Sequence, residues 1–203
     1  MDAIWQWDKH LFYILNQNKI PYPLEKLALW FHSNLNYLIP LAIAMGIAFL
    51  KGRPKERRFV AWLLILIIVV GLGNKGLKYI FQRPRPPYTL DKHHLQLRVP
   101  RSTIPSSSYS FPSGHSAFFF ALALYTSWHY PSLLLILLSY LLASFVAFSR
   151  IYLGVHYPLD ILGGFASGST FAALILLLQC HWTKSKTPPQ TSPNPQDSNP
   201  NKS

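Results

Sequence analysis

Trp62-Leu-Leu-Ile-Leu-Ile-Ile-Val-Val70 is nine consecutive apolar residues. A helix on the surface of a soluble domain keeps a polar face, and at 3.6 residues per turn that face would come round twice in such a stretch. Here it does not come round. The stretch lies within Phe59–Phe81, 23 residues whose only charges, Lys75 and Lys78, are near the end. To either side, Leu27–Leu50 holds no Lys, Arg, Asp or Glu in 24 residues, Phe111–Tyr130 none in 20 and Ser132–Ser149 none in 18, and Leu159–Cys180 has only Asp160 in 22. Each is long enough to cross a hydrocarbon core about 30 Å thick. The sequence therefore predicts an all-α, polytopic membrane helix bundle of about five transmembrane helices and speaks against a soluble domain.

The composition agrees. Of 203 residues 50% are hydrophobic and 13% charged, about half the roughly 25% charged content of soluble chains. The sole cysteine, Cys180, allows no intramolecular disulfide and no cysteine-rich zinc site. The 19 Lys and Arg against 7 Asp and Glu give a formal charge of +12, which asks for nucleic acid, a membrane surface or an anionic substrate. With the apolar residues gathered into spans, nucleic acid drops out.

The flanks read differently from the spans. Residues 1–26 contain Ile4-Trp-Gln-Trp-Asp-Lys-His-Leu-Phe-Tyr-Ile-Leu15, too short to cross a bilayer and without the basic start and small-residue cleavage site of a signal peptide. Its aromatic residues predict an interfacial helix lying on the bilayer. Residues 27–181 are the expected membrane domain. The stretch 182–203, rich in Pro, Ser, Asn and Gln, is expected to be a disordered tail. The long connection 82–110 carries five basic residues, and loops of that length commonly carry function.

With five spans, parity puts the 51–58 loop and the tail on one side of the membrane. The N-terminus, the 82–110 loop and the 150–158 turn fall on the other. Five of the eight residues in 51–58 are basic, so that side is expected to be cytoplasmic. The second side, expected to be extracytoplasmic on a cell inner membrane, collects the unusual polar residues. They are Lys78 and Arg85-Pro86, then Pro112-Ser113-Gly114-His115, then Ser149-Arg150 with His156 and Asp160. Ionisable residues inside or at the rim of a span are costly and mark functional sites by default. Two His, an Asp, a Lys and two Arg are the ingredients of phosphoryl transfer: cations for phosphate oxygens, a nucleophile and an acid for the leaving group.

Each piece has a physical reading. Ser113 can cap the third span, and the helix N-terminus with Gly114 lets backbone N–H groups approach an anion. Pro158 suits the first turn of the fifth span, which places Asp160 within reach of His156. A carboxylate on one imidazole nitrogen fixes the tautomer and makes the other nitrogen the better nucleophile.

These residues resemble the three-part signature of the type 2 phosphatidic acid phosphatase (PAP2) superfamily. That signature is Lys, six residues, Arg-Pro; then Pro-Ser-Gly-His; then Ser-Arg, five residues, His, three residues, Asp. Lys78 to Arg85 has the required spacing, which the alternative Arg83-Pro84 lacks. The resemblance implies a metal-independent lipid phosphatase that needs no cofactor. His156 would attack phosphorus to form a phosphohistidine, Asp160 would orient it, and His115 would protonate the leaving oxygen and then activate water. Lys78, Arg85, Ser113, Gly114 and Arg150 would hold the phosphate. The short five-span plan is most similar to bacterial undecaprenyl-diphosphate phosphatases. Phosphatases of lipid A, phosphatidylglycerophosphate and phosphatidate share the signature, and the oligomeric state stays open.

Other features carry blander expectations. His10, His32, His129 and His181 read as ordinary interfacial histidines. The Asp91-Lys-His93-His94 cluster lacks a recognised metal spacing. Arg83, Lys92, Arg98 and Arg101 read as headgroup contacts or as attraction for a second phosphate. A transporter or lipid-binding protein with a dead site is the rival class, but such a protein would typically have lost a signature residue. Vanadium haloperoxidases look similar at these positions but are soluble.

Overall fold

The structure, a computed structural model, describes residues 2–91, 93–104 and 108–185. Trp62–Val70 falls within α4 (Pro54–Phe81), and there its uniformly apolar surface acquires two sides. Leu63, Leu66 and Val70, spaced by helical turns, pack inward, whereas Ile68 and Leu72 remain 57% and 67% exposed and face the space that lipid fills. Around α4 stand α3 (Asn34–Lys51), α6 (Gly114–His129), α7 (Leu133–Tyr152) and α8 (Pro158–Ser185). Four of these, α3, α4, α7 and α8, are long and apolar enough to cross a membrane by length and composition. The shorter α6 occupies the centre, packed on α8 and α7 and then on α4. The chain is an all-α, multi-pass membrane helix bundle.

Small residues set the tightest contact. An added Cβ at Gly164 would lie 2.6 Å from the Ser113 carbonyl oxygen, and one at Gly168 would overlap the backbone of Ala117. This spacing of small residues lets α8 lie directly on α6. It also brings the start of α6 against the start of α8, where the Ser113 N–H donates to the Asp160 carbonyl at 2.9 Å.

The first span differs from the expectation for Leu27–Leu50. It is broken at residues 31–33, with α2 (Tyr22–Trp30) before the break and α3 after it. The Asn36 side chain donates to the Trp30 carbonyl at 2.7 Å, so one neutral side chain from the first turn of α3 serves the end of α2. A search for charged residues passes over such a break.

The N-terminal α1 (Asp2–Gln17) is seated at the same end as the 82–110 connection and packs on α7 and α8. Its inward stripe is Asp8, Phe12 and Asn16, all fully buried, while Ile4, Trp7 and Ile14 point out. Asn16 donates to the carbonyls of Gln96, Ile151 and Tyr152 and accepts from the Gln96 N–H. Arg98 adds bonds of 2.7 and 2.6 Å to the Asn16 and Tyr152 carbonyls, which straps the long connection to the bundle. Residues 186–203, most of the expected tail, lie outside the described residues.

Candidate active site

Three segments meet at this end. The last turns of α4 bring Asn74, Lys75 and Lys78, and Gln82 then ends the helix in a left-handed backbone (φ 47°), its N–H bonded to the Lys78 carbonyl. The prolines of Arg83-Pro84-Arg85-Pro86 keep the chain extended there. From the second segment, α6 starts at Gly114. In the third, α7 ends and the chain turns at Gly154 (φ 81°) before presenting His156, and Pro158 starts α8 with Asp160 in its first turn. An added Cβ at Gly154 would be strained by that φ and would lie 2.9 Å from the Gln96 carbonyl oxygen.

His156 sits where the three segments converge. Its Nδ1 is 3.3 Å from Asp160 Oδ2 and its Nε2 is 3.1 Å from Arg85 Nη1. A guanidinium only donates, so Nε2 accepts and the ring proton belongs on Nδ1, facing the carboxylate. The lone pair is therefore on Nε2, the side of the cavity. Burial first, then the cations Arg85, Lys78 and Arg150, hold the His156 pKa well below the ordinary imidazole value. It is a neutral imidazole at neutral pH.

Lys78 and Arg85 are held by the loop that returns to α6, and Arg150 by α7 and α2. Lys78 Nζ donates to the Tyr109 and Ser110 carbonyls at 2.6 and 3.2 Å. Arg85 donates to the Ser108 carbonyl at 3.0 Å, to the Ser108 hydroxyl at 2.9 Å and to the Val155 carbonyl at 3.1 Å. Arg150 donates to the Ser149 hydroxyl and the Ala28 carbonyl. Its Nη1, like His115 Nε2 and Asn74 Oδ1, is buried with no hydrogen-bond partner among the described residues. Buried polar groups are otherwise almost always paired; unlike the buried, unpaired Ser127 Oγ and Gln179 Oε1, these three belong to residues that line the cavities at the site.

Two cavities flank His115 and His156. One, of about 400 Å³, is walled by Lys75, Lys78, Gly114 and Asn74, and the other, of about 280 Å³, by Arg150 and His32; both share Arg85. Leu38 and Ile67 also belong to an apolar groove of about 490 Å³ between α3 and α4, which adjoins the larger cavity.

Of the residues singled out in the sequence, His115, His156, Lys78, Arg85, Gly114 and Arg150 line these cavities. Asp160 lies behind His156, fully buried. Ser113, expected both to cap the third span and to hold phosphate, stands at the start of α6. Its side chain is fully buried, lines neither cavity, and caps α6 by accepting from the Ser116 N–H at 3.5 Å. His32, read as ordinary, stands in a cavity wall with Nε2 3.0 Å from Thr103 Oγ1. Arg83, read as a headgroup contact or as attraction for a second phosphate, is buried and ion-paired to Asp8 and Asp160. Asn74 was not singled out, although its place one helical turn before Lys78, inside an apolar span, was a signal.

Among the described residues no three His, Cys, Asp or Glu side chains converge as a metal site. The Asp91 carboxylate accepts from the His93 N–H and the His94 ring stacks edgewise on Tyr13. Lys92 lies outside the described residues.

The chain is similar to known proteins over most of its length. It is 32% identical over 145 residues to phosphatidylglycerophosphatase B of Bacillus subtilis (strain 168), covering 66% of this chain and 63% of that protein, just under two thirds of its length. It is 30% identical over 168 residues to YbjG of Escherichia coli (strain K12), provisionally named an undecaprenyl-diphosphatase, covering 78% of this chain and 75% of the relative. The crystal structure of Aquifex aeolicus LpxE superposes with a TM-score of 0.67 at 30% identity, over 83% of this chain and 93% of that one. Residues 59–186 match the PAP2 superfamily model. With His156 backed by a carboxylate and ringed by cations at the end of a helix bundle, the chain belongs to the PAP2 superfamily, as a multi-pass membrane phosphatase.

Proposed function

We propose that the protein hydrolyses the terminal phosphate of a membrane lipid, with undecaprenyl diphosphate, converted to undecaprenyl phosphate and inorganic phosphate, as the first choice of substrate. The observation that carries this is the His156 ring, bonded to Asp160 on one side and open to Arg85 and the cavities on the other. In the first half-reaction Nε2 attacks phosphorus. An N–P bond forms, the bond to the leaving oxygen breaks, and His115, which takes up a proton as the anionic phosphate binds beside it, gives that oxygen its proton. In the second, water attacks phosphorus, the N–P bond breaks and His115 takes the water's proton. Lys78, Arg85, Arg150 and the Gly114 backbone hold the equatorial oxygens, whose charge grows in the transition state. An incoming phosphate oxygen takes over the Arg85 N–H that Nε2 accepts in its absence, freeing the nucleophile.

The apolar groove beside the larger cavity supports a lipid, whose hydrocarbon would run between α3 and α4 while its phosphate meets the cations. Lys75 joins Lys78 on the wall of that cavity, which favours a diphosphate over a monophosphate. A phosphatidylglycerophosphate substrate is the second reading, favoured by the Bacillus subtilis relative. The proposed location is the cytoplasmic membrane with the site on its extracytoplasmic face. Purified protein in detergent containing EDTA is expected to release phosphate fastest from undecaprenyl diphosphate in a panel with phosphatidylglycerophosphate, phosphatidate and lipid A. Faster release from another lipid reassigns the substrate, and full activity in His156→Ala overturns the mechanism.

A further inference from the structure

Asp160 has a second partner besides His156. Its Oδ1 accepts from Arg83 Nη1 at 2.7 Å, and Arg83 Nη2 reaches Asp8 Oδ2 at 2.5 Å. Asp8 Oδ1 in turn accepts from the Leu159 N–H at 2.9 Å, in the first turn of α8. Both carboxylates are fully buried, and the guanidinium lies between the rings of Trp5 and Tyr157, 4.2 and 4.0 Å from their centroids. A planar fork held between two rings and two carboxylates has one orientation, and a lysine could not reproduce it. Arg83 lines neither cavity beside His156.

We propose that Arg83 and Asp8 are positioning residues for the reaction, acting on His156 through Asp160, and that α1 is thereby part of the catalytic apparatus. This rests on the phosphohistidine reading above. Arg83 holds Asp160 Oδ1, so that Oδ2 is left for the His156 Nδ1–H and the Tyr157 N–H. Asp8 shares the Arg83 charge. Without Asp8, Arg83 would pair with Asp160 alone and weaken the carboxylate as a partner for the imidazolium that forms during attack. The charged and titratable groups around His156 are Lys75 and Lys78 from α4, Arg83 and Arg85 after it, His115 from α6, Arg150 from α7, His32 before α3, Tyr37 from α3, Tyr157 beside it, Asp160 from α8 and Asp8 from α1. Among these, Asp8 and Asp160 are the carboxylates, so removing one end of the Asp8–Arg83 pair has a definite sign.

The test is steady-state kinetics of Asp8→Asn, Arg83→Gln and the double variant on the lipid that the wild type hydrolyses best. Both single variants are expected to lose on the order of 10- to 100-fold in kcat at unchanged KM. The acid limb of kcat/KM should move in opposite directions. Asp8→Asn removes a negative charge, disfavours protonated His156 and moves the limb to lower pH. Arg83→Gln removes a positive charge and moves it to higher pH, each by on the order of one pH unit. The double variant returns the limb toward the wild-type position. Arg83→Lys, which keeps the charge but only one of the two ion pairs, should fold and fall between wild type and Arg83→Gln in kcat. Limbs that stay still or move together, or a raised KM at full kcat as a headgroup-binding arginine would give, overturn the positioning role. An active wild type with such variants sinks this role alone, whereas a wild type inactive on every lipid phosphate sinks the functional reading beneath it.

Discussion

Both oxygens of Asp160 are taken, Oδ1 by Arg83 and Oδ2 by His156 and the Tyr157 N–H. An asparagine there would carry no charge to stabilise the imidazolium and could present an N–H to Nδ1, reversing the tautomer. Asp160→Asn is therefore expected to lower kcat by roughly 10³- to 10⁴-fold with little change in KM, measured as phosphate release. The histidines also set a pH dependence of stability. Burial first, and nearby arginines next, hold His32 as well as His156 below the ordinary value of 6.5. Below that value the unfolded chain binds protons that the folded one does not, so stability contributed above it is lost as pH falls. Asp8, raised mainly by burial, has the opposite sign, in a window that starts near its ordinary 3.8. The melting temperature in detergent should therefore be lower at pH 5.5 than at pH 7, and a rise on acidification would contradict this. The signature residues were legible in the sequence because their chemistry is local: His156 and Asp160 are one helical turn apart. Arg83 was legible only as a cation, because its partner Asp8 is 75 residues away and follows no spacing rule.

Helix ends marked by proline or a capping serine were readable, and Pro158 and Ser113 stand where α8 and α6 begin. The break at residues 31–33 was not, because what bonds across it is a neutral side chain, Asn36, on the Trp30 carbonyl rather than a charge. The contact between α6 and α8 depends on Gly164 and Gly168, whose significance appears only once the two helices are known to face each other. Gly168→Ala forces a methyl against the Ala117 backbone, where no side chain can move aside. A loss of about 1–3 kcal/mol is expected from thermal or denaturant melts in detergent. Because Ser113 and Asp160 are bonded across that contact, activity should fall with it, and an unchanged melting temperature would show that the helices sit further apart.

At the scale of the whole molecule, the three signature segments do come to one end, as parity required, and α1 joins them there. Which side of the membrane that end faces rests on the basic 51–58 loop alone. In a Cys180→Ser background, a cysteine at exposed Asn18 should react with an impermeant maleimide on intact cells and one at Lys55 only after lysis. The reverse pattern would place the site inside. The bundle as such was plain from hydropathy, whereas the seating of α1 was not, because its inward stripe of Asp8, Phe12 and Asn16 is mixed in polarity.

The central helix α6 has 16 residues, about 24 Å of rise against a hydrocarbon layer of about 30 Å. This hydrophobic mismatch places at least one end of α6 beneath the level of the headgroups, and His115 stands one residue inside its start. If that end is the recessed one, a phosphate reaching His156 leaves part of its hydration behind, so the bilayer itself acts as a filter: a soluble phosphate ester has nothing to offset that loss, while a lipid brings a chain that belongs at that depth.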